Sequence, residues 1–171
     1  MDVKVKAQKI LQELDFDFSN FSMDGFLLAV GEKKGCEIIA LPWDMPVTMF
    51  GAWISDAAAP REYIFYRNNV SEAHQIHIQL HELSHFLFGH QTRKINSKMI
   101  AEAAVGTSSL PFAESPQRSP GLANVEIEIE AETLTNLIQK QAIQHSKMGD
   151  LIHTTPAQEK LANFLKKLGL S

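Results

Sequence analysis

A chain of 171 residues, 44% of them hydrophobic, is long enough to bury one core and too short for two comfortable domains, so a single domain spanning 1–171 is expected. A formal charge of -4 and a pI near 6.0, with Lys and Arg scattered rather than clustered, argue against direct nucleic-acid binding and for a protein or peptide partner. Cys36 is the only cysteine, which excludes an intramolecular disulfide, and Met1 to Asp15 is charged and amphipathic with no apolar signal-peptide segment, so a cytoplasmic protein without a membrane span is expected.

In chain order, Val3, Ala7, Ile10, Leu11 and Leu14 share one helical face, predicting a first helix from Val3 to Leu14. Ser22 can cap a second helix through Phe26, Leu27 and Val30, with Gly31 or Gly35 ending it. Cys36 to Leu41 is short and β-branched and reads as a strand, which Pro42 and Pro46 follow with a loop. Phe50 to Ser55 and Glu62 to Arg67 read as adjacent antiparallel strands; in the second, Tyr63, Phe65 and Arg67 share one face and Ile64 and Tyr66 the other. The expected fold is α+β: a small antiparallel sheet of about three strands packed on the helix that follows, with further helices at both ends.

That helix, from about Ser71 to Phe88, has Ser71 as its cap, an apolar stripe at Ile76, Leu80, Leu83 and Leu87, and Gly89 to close it in a left-handed turn. Its middle reads His81-Glu82-Leu83-Ser84-His85. Residues four apart stand on one face of a helix, so both imidazoles can bind one metal ion; zinc suits their borderline nitrogens, and Glu82 is placed to accept a proton from water at the open position of a catalytic site.

From 106 to 121 the chain is rich in Gly, Ser and Pro and is expected to form a mobile loop, a linker more readily than a lid. Leu122 to about Lys147 reads as a long helix, and a last helix is expected to start with Thr155 as cap and Pro156 at its first position and to end at Gly169. A usual zinc site needs a third protein ligand, and the long helix offers several carboxylates. Glu128 and Glu132 lie one turn apart on the same side, a spacing that suits one ligand plus one carboxylate holding a ligand imidazole; Glu126 and Glu130 point about 160° away, as a solvated acidic face would.

These residues resemble a family. The run from His74 to His90, with its His-Glu-Leu-Ser-His-Phe-Leu-Phe-Gly-His, and the later Glu128-Ile129-Glu130-Ala131-Glu132-Thr133-Leu134-Thr135, together with the short strands around Trp53 and Tyr63, are similar to the ImmA/IrrE-type metallopeptidases, bacterial and phage proteins that cleave helix-turn-helix repressors. The likeness covers roughly Cys36 to Ile138; it departs at Thr135, where the family usually has Ala, and no Leu-Leu-Met-Pro tail follows. It implies Glu128 as third ligand and one zinc per chain, with manganese an alternative in vitro. It also implies peptide-bond hydrolysis with Glu82 as the proton shuttle, and a DNA-binding repressor encoded nearby as the substrate in a transcriptional stress response. A regulator would act in trans or through the 106–121 loop, since the chain leaves no room for the sensory domain some relatives carry. An oxyanion donor is also required, and Tyr63, Tyr66 and His77 are candidates.

Three rival readings stand beside this one. Gly35-Cys36 upstream of the motif resembles the thiolate ligand of peptide deformylases, but Cys36 reads better as a small buried hydrophobe at the start of a strand. His77, one turn before His81, is too far from His85 for all three to converge on one ion, and it is expected to line a groove or hold another ligand; His74, His90, His145 and His153 are expected to be surface or capping residues. From a different functional class, the chain could be a non-catalytic repressor- or toxin-binding module with a structural or residual zinc site.

Overall fold

The computed structural model describes residues 2–110, 112, 122–145 and 157–169. Helix α1 spans Val3–Leu14; Asp2 caps it by accepting from the Lys4 amide. Helix α2, Met23–Lys34, is capped by Ser22, whose hydroxyl accepts from the Gly25 amide, and it closes at Gly35 in the left-handed region (φ 70°). Gly31 therefore does not end this helix. It is where α2 passes over the chain, because a Cβ there would lie 2.7 Å from the Cys36 carbonyl oxygen.

The sheet is mixed and has four strands, in the order β1-β3-β2-β4: β1 is Glu37–Trp43, β2 Gly51–Asp56, β3 Arg61–Arg67 and β4 Lys94–Ile95. The expected antiparallel pair is present, Gly51 opposite Tyr66 through Ser55 opposite Glu62. The expectation of an all-antiparallel sheet of about three strands is corrected at both edges, where β1 runs parallel to β3 and β4 parallel to β2. Apolar alternation tells which face a side chain occupies but not which neighbour its strand takes, and a two-residue strand such as β4 has no periodicity to read. β1 also runs on through Pro42 to Trp43 instead of stopping at Leu41. As an edge strand it tolerates proline: the Glu37 amide donates to the Pro60 carbonyl on the β3 side, so two-residue alternation turns Pro42's nitrogen outward.

Alternation along β3 divides the apolar side chains between two cores. Ile64 and Tyr66 pack with Phe26, Val30, Leu80, Leu83, Leu134 and Ile138 beneath helices α1, α2, α3 (Glu72–Phe88) and α5 (Leu122–His145). Tyr63 and Phe65 face the other way, onto Leu41, Ile54, Ile95, Ile100, Phe112 and Phe164, under helices α4 (Ser97–Ala104) and α6 (Ala157–Lys167). α4 follows the predicted motif helix without having been foreseen; Asn96 caps it by accepting from the Met99 amide. No helix among the described residues is long and apolar enough to cross a membrane. Of the expected loop over 106–121, residues 111 and 113–121 lie outside the described residues, as do the start of the last helix at Thr155 and Pro156, Lys147 and His153.

Candidate metal centre

α3 has the predicted ends: Ser71 accepts from the His74 amide, and Gly89 (φ 73°) closes the helix. Ile76, Ile78, Leu80, Leu83 and Leu87 are buried, which turns His81 and His85 toward α5. There, Ala131, Leu134, Ile138 and Ala142 form the buried stripe, and Glu128 and Glu132 stand at the margin with about half of their side chains exposed (52% and 46%). A buried hydroxyl pair joins the two helices: Ser84 Oγ lies 3.1 Å from Thr135 Oγ1, 2.8 Å from the Leu80 carbonyl oxygen, and Thr135 Oγ1 2.9 Å from that of Ala131. With one proton on each hydroxyl, either Ser84 or Thr135 donates across the contact only by turning from its own carbonyl.

His81, His85 and Glu128 bring one ligand atom each to a common point, all within 4.8 Å of one another. His81 Nε2 is 3.1 Å from His85 Nε2 and 3.1 Å from Glu128 Oε2, and His85 Nε2 is 3.7 Å from Glu128 Oε1. A tetrahedral zinc with ligands at about 2.0–2.1 Å sets them about 3.4 Å apart, so these separations fit such an ion. The donor chemistry agrees. His81 Nδ1 faces Glu132 Oε2 at 3.4 Å, which leaves the lone pair for Nε2. Burial disfavours the protonated His81 ring, but the hydrogen bond to Glu128 and the charges of Glu82, Glu128 and Glu132 outweigh it and raise its pKa above the usual 6.5. The site attracts a cation.

Glu132 also lies 3.6 Å from His77 Nε2 and accepts from Asn136 Nδ2 at 3.1 Å. The sequence suggested that it would hold a ligand imidazole; its carboxylate stands beside His81 Nδ1. On the other side, His85 Nδ1 meets His90 Nδ1 at 2.9 Å, His90 Nε2 meets Glu130 Oε2 at 3.0 Å, and Glu130 Oε1 accepts from Lys6 Nζ at 2.9 Å. The Lys6 hydrogen bond, against some burial and with help from His90, holds the Glu130 carboxyl below the usual carboxylate range. His90 and Glu130 are thus not the surface or solvated groups expected from the sequence; their side chains are 8% and 16% exposed. The Gly-His pair after the helix was the available signal for His90, since a left-handed residue there turns the chain back over the last turn.

Glu82, 8% exposed, lines an adjoining hollow of about 230 Å³ with His77, His81, Glu132, Phe50 and Gly51. Gly51 was not singled out from the sequence, yet a Cβ there would lie 2.9 Å from Glu82 Oε1 and 2.5 Å from Ile78 Cγ2. Only glycine lets β2 lie this close to the motif helix.

No family model matches the chain, and neither does any curated protein or solved structure. The centre is therefore read from its own geometry. Of the three candidate oxyanion donors, His77 lines the hollow. Tyr63 does not: its hydroxyl donates to Asp56 Oδ2 at 2.7 Å in the opposite core, and burial, with Asp56 beside it, pushes its pKa up to about 12. Tyr66 is also absent from the hollow; it is buried beneath α2, with Lys160 Nζ 5.9 Å from its ring centre, and burial raises its pKa strongly. Cys36, half-buried, lines a separate cleft of about 740 Å³ between α2, β1 and α6, away from the histidines.

Proposed function

We propose that this chain is a zinc-dependent endopeptidase acting in the cytoplasm on a protein substrate. The observation that carries the proposal is the convergence of His81 Nε2, His85 Nε2 and the Glu128 carboxylate, with the Glu82 carboxylate on the wall of the adjoining hollow. When bound there, zinc supplies a Lewis acid that acidifies its water and polarises a carbonyl. Glu82 takes the proton of the attacking water and returns it to the departing amine, so that one carboxylate serves as base and then as acid. His77 reaches the hollow with Nε2 3.6 Å from Glu132 and Nδ1 3.4 Å from Gln139, and its ring would turn an N–H from one of these long contacts to the developing oxyanion. The substrate class rests on the resemblance of the His74–His90 and Glu128–Thr135 segments: a DNA-binding helix-turn-helix repressor encoded beside this gene.

The test is to incubate zinc- or manganese-loaded protein with that neighbouring regulator and weigh the fragments. Cleavage at one site is expected. Glu82→Gln keeps side-chain shape but cannot accept the proton, so it should lower the rate about a hundred- to ten-thousandfold, about 3 to 5 kcal/mol of barrier, with zinc content unchanged. If the regulator is bound tightly but never cut, the chain is a binding module instead.

A further inference from the structure

We infer that His90 is a positioning residue for the metal centre: supported by Glu130 and Lys6, it selects the tautomer in which His85 can ligate. This rests on the reading of His81, His85 and Glu128 as ligands. His85 presents Nε2 to His81 and Glu128, so ligation requires its proton to sit on Nδ1. That atom is 2.9 Å from His90 Nδ1. Two protons cannot occupy one such contact, and His90 Nδ1 must therefore accept. The proton of His90 then sits on Nε2, 3.0 Å from Glu130 Oε2, and the remaining Glu130 oxygen accepts from Lys6. This assignment satisfies the Lys6–Glu130, Glu130–His90 and His90–His85 contacts together.

Without Glu130 this choice is lost, because His90 could carry its proton on Nδ1 and would then favour the His85 tautomer protonated on Nε2, which has no lone pair for a metal. The ring of His90 is fixed independently. Gly89 in the left-handed region returns the chain so that the His90 amide donates to the His85 carbonyl at 3.1 Å, and Phe88 lies nearly parallel to the His90 ring, 7° between planes and 5.5 Å between centres. Both His90 and Glu130 are shielded from water, which would otherwise compete for these hydrogen bonds.

The experiment is a zinc titration of the metal-free full chain against a chromophoric chelator, with the visible spectrum of the cobalt form as a second readout. Removing a partner of this kind typically weakens metal binding about ten- to a hundredfold, which is expected for His90→Ala and for Glu130→Leu, with altered cobalt bands. His90→Asn should recover part of the affinity, since its amide oxygen can accept from His85 Nδ1. Wild-type affinity in both His90→Ala and Glu130→Leu would overturn the inference, as would an Asn variant no better than Ala. Should His90→Ala not fold, Glu130→Leu and His90→Asn give the same reading. A wild type that binds no zinc, or binds it equally well as His85→Ala, would remove the centre itself and the inference with it.

Discussion

Gly51 decides how closely the sheet can approach Glu82. A methyl group there meets Ile78 Cγ2 at 2.5 Å and the Glu82 carboxylate at 2.9 Å, so Gly51→Ala must push strand and helix apart or swing Glu82 away. Overpacking of this kind costs about 1–3 kcal/mol, measurable by denaturant unfolding, and turnover should fall more than zinc binding, since the added methyl meets Glu82 and Ile78 and none of the three candidate ligands. The raised pKa of His81 gives a second expectation at this scale. Its proton stabilises the metal-free fold fully below pH 6.5, and that contribution fades as pH rises through the raised value. Zinc needs the ring deprotonated, so zinc affinity should run the other way, increasing with pH through the same window in a chelator titration. Single residues were read unevenly from the sequence. Helical spacing brings His81 and His85 together and puts Glu132 beside His81. The surroundings of Glu130 were not legible, because a helical wheel gives the direction of a side chain and not what stands there: Lys6, 124 residues away, and His90 meet it.

At the scale of elements, the β2–β3 hairpin hangs on Asp56. Its carboxylate accepts from the Tyr63 hydroxyl at 2.7 Å and from the amides of Ala58 and Ala59 at 2.8 and 3.2 Å, with Arg61 Nη1 at 3.7 Å. Asp56→Ala leaves the fully buried Tyr63 hydroxyl without its acceptor and should destabilise the protein by about 2–4 kcal/mol in denaturant melts. Burial opposes ionisation of Asp56, but the Tyr63 hydroxyl, the two amides and Arg61 outweigh it and hold its carboxyl below 3.8. Its contribution is thus present above pH 3.8 and is lost as pH falls through the depressed value, so wild type and Asp56→Asn should converge in stability in acid. The faces of these strands were legible, Tyr63 and Phe65 to one core and Ile64 and Tyr66 to the other, because side-chain alternation is local. Strand order was not, because pairing is a long-range choice. Thr135, where the resembling family has Ala, gains a local reason: it meets Ser84 across the α3–α5 contact.

For the whole molecule, the candidate centre adds polar links to a contact between α1, α3 and α5 that apolar packing and the Ser84–Thr135 pair already make. Glu128 of α5 meets His81 and His85 of α3, and Glu130 reaches back to Lys6 of α1, so an ion bound at the first three would tie the helical layer together across one face of the sheet. A ligand that binds only the folded state stabilises it by RT ln(1 + [L]/Kd), about 2.7 kcal/mol at a hundredfold excess over Kd. In a domain of this size each kcal/mol moves the melting temperature by about 2–4 °C, so saturating zinc should raise it by about 5–10 °C and a chelator should reverse the shift. His81→Ala should abolish the shift, since it removes a ligand. Glu82→Gln should keep it, since Glu82 lies outside the ligand cluster. Equal melting temperatures with zinc and with chelator would show that no ion joins α3 to α5, and a shift that survives His81→Ala would place the ion elsewhere on the chain.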